Sequence, residues 1–167
     1  LGEPRLVRYL TSAVPRTLAR SQRILAVSAS VAADLVDAYP ETRDRVVAIP
    51  NGVRRPPVAT IEPASERATV LMVGTIEPRK THLGVLAAMR LVRDRVRDAE
   101  LLIVGRAGWR SAEIVEAIGS AEAEGWVRWL PNAGDLDLAQ AYASSTIFVY
   151  PSWYEVFGLP ILEAMSY

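Results

Sequence analysis

The sequence predicts an α/β protein, a Rossmann-like parallel sheet with helices on both faces. Two observations carry this. From residue 69 onward, strand-like and helix-like segments alternate through four successive units, the pattern that builds a parallel sheet through helical crossovers. The strand segments are also solidly apolar rather than alternating, as strands buried on both faces are.

The elements follow in order. Residues 1–20 read as a helix, with Leu6, Leu10, Val14 and Leu18 at four-residue spacing and a bend expected at Pro15. Arg23 to Ser28 reads as a short buried strand. Ser30 is the expected N-cap of a helix running to about Ala38. Arg45 to Ile49 is a second strand, ended by the turn signal Pro50-Asn51-Gly52. The proline-rich stretch that follows has no periodicity and reads as a linker over 54–68. Residues 1–53 then form the end of one Rossmann-like domain, and 69–167 form a second. In the second, strands are expected at 69–73, 100–104, 126–130 and 146–150. Helices are expected at 83–96, 111–124 (with Ser111 as N-cap), 135–143 and from Leu159 onward. The chain starts at Leu1 and stops at Tyr167, inside what reads as a continuing helix, so it is expected to be a piece of a longer protein.

Composition narrows the function classes. Half of the residues are apolar and 23% are charged, ordinary for a globular protein. The 19 basic and 19 acidic residues cancel, which gives no electrostatic reason to expect nucleic acid as a partner. There is no cysteine and one histidine, so no disulfide, thiolate metal site or His-based triad is expected. No apolar run approaches the roughly 20 residues of a membrane span. Lys80 is the only lysine among those 19 cations, which hints that a compact ammonium is needed there.

In a parallel sheet, ligands bind at the carboxyl ends of the strands. The loops to watch are therefore 74–82, 105–110, 131–134 and 151–158. The first runs Gly74-Thr-Ile-Glu-Pro-Arg-Lys-Thr81 and places Arg79 and Lys80 at a helix entrance. Arg grips phosphate oxygens bidentately and Lys supplies a point charge, so the pair suits a diphosphate; two solvated loop charges are the plain alternative. Gly105-Arg-Ala-Gly108 reads as a tight turn that either admits a ligand to the backbone or is only a turn. The last loop leads into Phe157-Gly158-Leu159-Pro160, where Pro160 fits a first helical turn. Glu155 then stays in the loop and Glu163 rides on the second turn. The free N–H groups at Gly158 and Leu159 suit an anion, and the two carboxylates suit hydroxyls. A sugar nucleotide needs both. Paired carboxylates also serve glycoside hydrolysis, but cations and a helix dipole lower carboxyl pKa values, which is wrong for a general acid.

Taken together, Ile24-Leu-Ala-Val-Ser28, Ile49-Pro-Asn-Gly-Val53, Val73-Gly-Thr-Ile-Glu-Pro-Arg-Lys80, Leu102-Ile-Val-Gly105 and Tyr150-Pro-Ser-Trp-Tyr-Glu-Val-Phe-Gly-Leu-Pro-Ile-Leu-Glu-Ala-Met165 resemble the family 4 retaining glycosyltransferases, glycosyl transferases group 1, in order and spacing. The resemblance implies the two-domain GT-B fold, with 69–167 as the donor-binding domain. It implies that Arg79 and Lys80 face the donor phosphates and that Glu163 accepts from the ribose hydroxyls. Glu155 lies near the donor sugar, and Phe157, Gly158 and Leu159 contact sugar and phosphate through their backbone. Gly74, Thr75 and Gly105 complete the donor site, with Thr75 standing where many members carry Arg. The expected activity is transfer of a hexose from a UDP- or GDP-linked sugar to a carbohydrate or lipid-linked acceptor with retained configuration, in polysaccharide or glycolipid assembly. No metal or other cofactor is expected. A cytoplasmic location is expected, including the inner face of the plasma membrane, with any peripheral membrane contact made by a region outside these residues. A sugar-nucleotide epimerase or phosphorylase of the same fold, and a non-catalytic nucleotide-sugar-binding fragment, remain open beside it.

Overall fold

A computed structural model of the chain describes residues 4–53 and 67–167, so nearly all of the expected linker lies outside the described residues. The chain divides into two units, Leu1–Gly52 and Val53–Tyr167.

In the first unit, helix α1 (Pro4–Arg20) precedes strand β1 (Ile24–Ala26), helix α2 (Ala29–Ala38), a 3₁₀ turn over Pro40–Arg45 and strand β2 (Val46–Ala48). The two strands pair in parallel, Ile24 opposite Val46 and Ala26 opposite Ala48. The expected cap at Ser30 is corrected to Ser28. With extended backbone, Ser28 accepts a hydrogen bond from the Val31 N–H through its hydroxyl, while Ser30 sits inside the first turn. Arg45 reaches back to the Leu18 and Ser21 carbonyls, satisfying acceptors at the end of α1.

The second unit begins with strand β3 (Thr69–Val73), then a 3₁₀ turn over Pro78–Lys80 and helix α3 (His82–Arg93). Strand β4 (Glu100–Val104), helix α4 (Ala112–Ala123), strand β5 (Val127–Leu130), helix α5 (Asp135–Ser144), strand β6 (Ile147–Phe148) and helix α6 (Leu159–Ala164) follow. All four strands are parallel, in the order β5-β4-β3-β6. Side chains alternate across the sheet. Val70, Met72, Leu101 and Ile103 pack on one face with Val85, Leu86 and Met89 of α3 and Ile114 and Ile118 of α4. Leu71, Val73, Leu102 and Val104 pack on the other with Ala141 and Tyr142 of α5. Both faces are covered, as the unbroken apolar strands require.

Two local expectations need correction. Ser111 precedes α4, but its hydroxyl donates to the Gly108 carbonyl rather than accepting from the helix. The helix opened at Leu159 ends at Ala164 instead of continuing to Tyr167.

Strand order positions everything that follows. The chain steps outward from β3 to β4 to β5 and then returns to the opposite side of β3 for β6. The loops leaving β3 and β6 therefore stand side by side at the carboxyl ends of the strands, the usual ligand position in such sheets.

Candidate donor-binding site

The loop after β3 leaves through Gly74, whose φ of +144° lies outside the range L-residues readily adopt. Ile76 then pairs with Ala107 of the neighbouring loop and is fully buried. Pro78 opens the 3₁₀ turn and Thr81 closes it in the left-handed region at φ 62°. The turn folds the Lys80 stem back under Gly74: a Cβ at Gly74 would lie 3.4 Å from Lys80 Cε. Lys80 is consequently only 6% exposed.

A buried ammonium must be paired. Lys80 Nζ donates to the Tyr150 hydroxyl at 2.5 Å and to Glu155 Oε1 at 2.6 Å, and lies 4.2 Å from the Tyr150 ring centroid. Arg79 shares the same carboxylate oxygen at 2.7 Å, holds Glu77 at 2.6 Å and donates to the Tyr154 carbonyl. The Trp153 N–H donates to the Arg79 carbonyl at 3.0 Å, tying the β6 loop to the Pro-Arg-Lys turn. Two cations and two carboxylates meet here, so the cluster is formally neutral. Partial burial pushes the Glu155 carboxyl up, but the Lys80 hydrogen bond and the charges of Lys80 and Arg79 outweigh it and hold it below the ordinary carboxylate range. Glu155 is thus a firm anion at neutral pH, unsuited to donate a proton.

At the other side of the β6 loop, Gly158 takes a left-handed φ of +84° and α6 begins, with Pro160 in its first turn. Phe157 is half-buried, Gly158 buried and Leu159 exposed. Glu163, on the second turn, accepts a hydrogen bond from the Tyr142 hydroxyl at 2.8 Å.

Beside these groups a hollow of about 300 Å³ lies over the carboxyl ends of β3, β4 and β5, lined by Gly74, Thr75, Gly105, Arg106, Pro131 and Leu138 among others. Gly74 borders both the hollow and Lys80. The structure also explains Gly105: a Cβ there would sit 2.1 Å from the Gly74 carbonyl oxygen. The two strand-end loops run against each other, joined by Gly74 N–H to Val104 O and Ile76 N–H to Arg106 O, both at 2.9 Å. The sequence left ligand approach and a plain turn open at 105–108; close approach of two backbones is what requires the glycine.

The structure therefore brings Arg79, Lys80 and Glu155 into one cluster, and Gly74, Thr75 and Gly105 into the adjoining hollow. It carries Phe157, Gly158, Leu159 and Glu163 on the segment that follows Glu155. Sequence reasoning missed Tyr150, Tyr142 and Glu77. Tyr150 stood in the quoted motif with no role, and only the strand order shows what it faces.

His82 is the sole histidine, so its imidazole can be followed without overlap. His82 opens α3 and is almost fully buried. Burial pushes its imidazole down to about 4, with the Lys80 charge adding to the effect. The folded state therefore prefers neutral His82, and the unfolded chain takes up the proton first. Its contribution is full above about pH 6.5 and is lost as pH falls toward about 4, amounting to roughly 3 kcal/mol. Proton NMR of the single imidazole should show titration near 4; a midpoint near 6.5 would contradict the burial.

Comparisons with known proteins add to this geometry. The family described as glycosyl transferases group 1 matches residues 59–167, and glycosyltransferase family 4 matches residues 2–55. The O-antigen chain mannosyltransferase B of Escherichia coli is 33% identical over 171 residues, covering 96% of this chain and 45% of that protein. A D-inositol 3-phosphate glycosyltransferase of Frankia alni is 32% identical over 166 residues, covering 89% of this chain and 41% of that protein. The chain thus spans less than half the length of these relatives. Among solved structures, Anabaena Alr3699/HepE in complex with UDP-glucose superposes with a TM-score of 0.74 at 18% identity, over 95% of this chain and 46% of that one. WaaG, a glycosyltransferase involved in lipopolysaccharide biosynthesis, superposes at 0.69 and 17% identity, over 95% and 48%. At such identity the likeness shows the fold, which is that of the GT-B glycosyltransferases.

Proposed function

The chain belongs to the glycosyl transferases group 1 family, and on that premise we propose that it supplies the donor side of an enzyme that moves a hexose from a nucleotide-diphosphate sugar to an acceptor hydroxyl, with retained anomeric configuration. The observation that carries the proposal is the buried Lys80 ammonium at the carboxyl ends of β3 and β6, paired with a carboxylate that a phosphate can replace. The nucleoside lies in the hollow over β3, β4 and β5, and Glu163 accepts from the ribose hydroxyls. Arg79, Lys80 and the amides at Gly158 and Leu159 hold the diphosphate, and Glu155 faces the sugar.

Chemistry follows from charge. In the transition state the bond from the anomeric carbon to the phosphate oxygen breaks, the sugar becomes oxocarbenium-like and the diphosphate gains negative charge. Cations fixed where that charge appears lower the barrier without reorganising, each donor contributing about 2.7–4 kcal/mol. The acceptor oxygen bonds the anomeric carbon on the face the diphosphate leaves, and its proton passes to a donor phosphate oxygen. No protein nucleophile and no metal is required.

The mannosyltransferase relatives support the choice of a hexose donor in this reading. We place the reaction in polysaccharide or glycolipid assembly, as in the O-antigen mannosyltransferase relative. Among the described residues no helix is long and apolar enough to cross a membrane. Calorimetric titration of the intact protein with UDP- and GDP-hexoses should give saturable binding to one of them. NMR of the product should show the donor's anomeric configuration preserved. Binding of no nucleotide sugar, or an inverted product, would overturn the proposal.

A further inference from the structure

Two tyrosines at the site have no place in the chemistry above, yet each grips a charged group that does. Tyr150 follows β6 and accepts from Lys80 Nζ at 2.5 Å, with its ring face 4.2 Å from the ammonium. Tyr142, on α5, is 7% exposed and donates to Glu163 Oε2 at 2.8 Å. Phe148 of β6 joins them: its ring centroid lies 5.9 Å from that of Tyr150 and 5.8 Å from that of Tyr142. A continuous column therefore runs Lys80, Tyr150, Phe148, Tyr142, Glu163, anchored by Tyr142 in the core layer of the sheet's second face.

From this column, and resting on the donor-site reading above, we infer that Tyr150 and Tyr142 are positioning residues that hold the phosphate-binding ammonium and the ribose-binding carboxylate at one fixed separation. Physical necessity differs at the two ends. A buried ammonium has three donors to satisfy. Its partner Glu155 must give way when a diphosphate arrives, and Tyr150 is then the contact that stays. Its ring adds cation–π attraction in a desolvated place. At the other end, Glu163 stands on a helix of only six residues, whose orientation short-range structure fixes poorly. The Tyr142 hydroxyl pins one carboxylate oxygen to the core and leaves the other for a ribose hydroxyl. Burial, together with the hydrogen bond and charge of Glu163, raises the Tyr142 pKa, so the phenol remains a donor at any working pH. Aromatic pairs are stiff, with two side-chain torsions each, so the spacing they impose is narrow.

Removing only the hydroxyls tests this, because Tyr→Phe leaves ring packing in place. In the intact protein, Tyr150→Phe should weaken the preferred nucleoside diphosphate about tenfold or more, as loss of a hydrogen bond to a charged group does, while binding of the bare nucleoside changes less than about twofold. Tyr142→Phe should instead erase most of the preference for the ribonucleoside diphosphate over its 2′,3′-dideoxy analogue. A merely structural role would move melting temperature and leave both ratios alone. Because Tyr150 acts through Lys80, adding Tyr150→Phe to Lys80→Met should cost little further affinity; full additivity would overturn the inference. If the wild-type protein binds the diphosphate and both variants keep its affinities and ratios, the inference falls while the site reading stands. If the wild-type protein binds no nucleoside diphosphate, both fall.

Discussion

Replacing Lys80 with Met is expected to lower the rate of the proposed sugar transfer by about 10²- to 10³-fold, the effect of deleting one preorganised donor from a site of developing charge. Methionine keeps the length of the buried stem beneath Gly74, so packing there is largely retained. Glu155 is not orphaned, because Arg79 already holds the same oxygen at 2.7 Å. The loss should therefore appear in turnover and in diphosphate affinity, with the melting transition little changed. Initial rates with the best donor from the titration, read beside thermal melts, check it. Wild-type rates in a folded Lys80→Met protein would remove the ammonium from the mechanism.

A second substitution separates scaffold from chemistry. Gly105→Ala is expected to destabilise the second unit by about 3–5 kcal/mol, combining a backbone conformation nearly closed to L-residues with overpacking. The added methyl would meet backbone, the carbonyl oxygen and carbon of Gly74 at 2.1 and 2.7 Å, and no rotamer change relieves that. Relief requires parting the two strand-end loops, which are joined by hydrogen bonds on either side of the contact. It would also shift Gly74 off the Lys80 stem, so activity should fall together with stability. A melt should show the midpoint lowered by roughly 10 °C or more. A change of a degree or two would mean that the loops can separate freely.

The frame of the second unit was legible because its cues are strong and local. Strands β3 and β4 carry the unbroken apolar runs Val70–Val73 and Leu101–Val104, each followed by glycine. Pro160 fixed the start of α6 because proline tolerates only the first helical turn. Where two candidates of one chemistry stood close together, local pattern could not choose. Ser28 and Ser30 both fit a cap, and only the extended backbone at Ser28 decides.

The charged cluster was legible in part. Residue types in the two loops pointed to cations and carboxylates at neighbouring strand ends. That Lys80 is buried and that Arg79 and Lys80 converge on Glu155 depend on β6 lying beside β3, which is a property of the whole sheet. Tyr142 is the clearest omission. Its place on the sheet-facing side of α5 follows from helical spacing, but its bond to Glu163 spans two elements that the chain does not relate locally. Gly105 shows the same limit, since its reason lies in a backbone 31 residues away in sequence.

One measurement bears most directly on the central claim, that a donor diphosphate takes the place of Glu155 on Lys80. It is a crystal structure of the intact protein with its preferred nucleoside diphosphate bound. The account predicts a phosphate oxygen within hydrogen-bonding distance of Lys80 Nζ, Glu155 withdrawn from the ammonium, and the ribose against Glu163. A nucleotide seated elsewhere, with the Lys80–Glu155 pair intact, would contradict it.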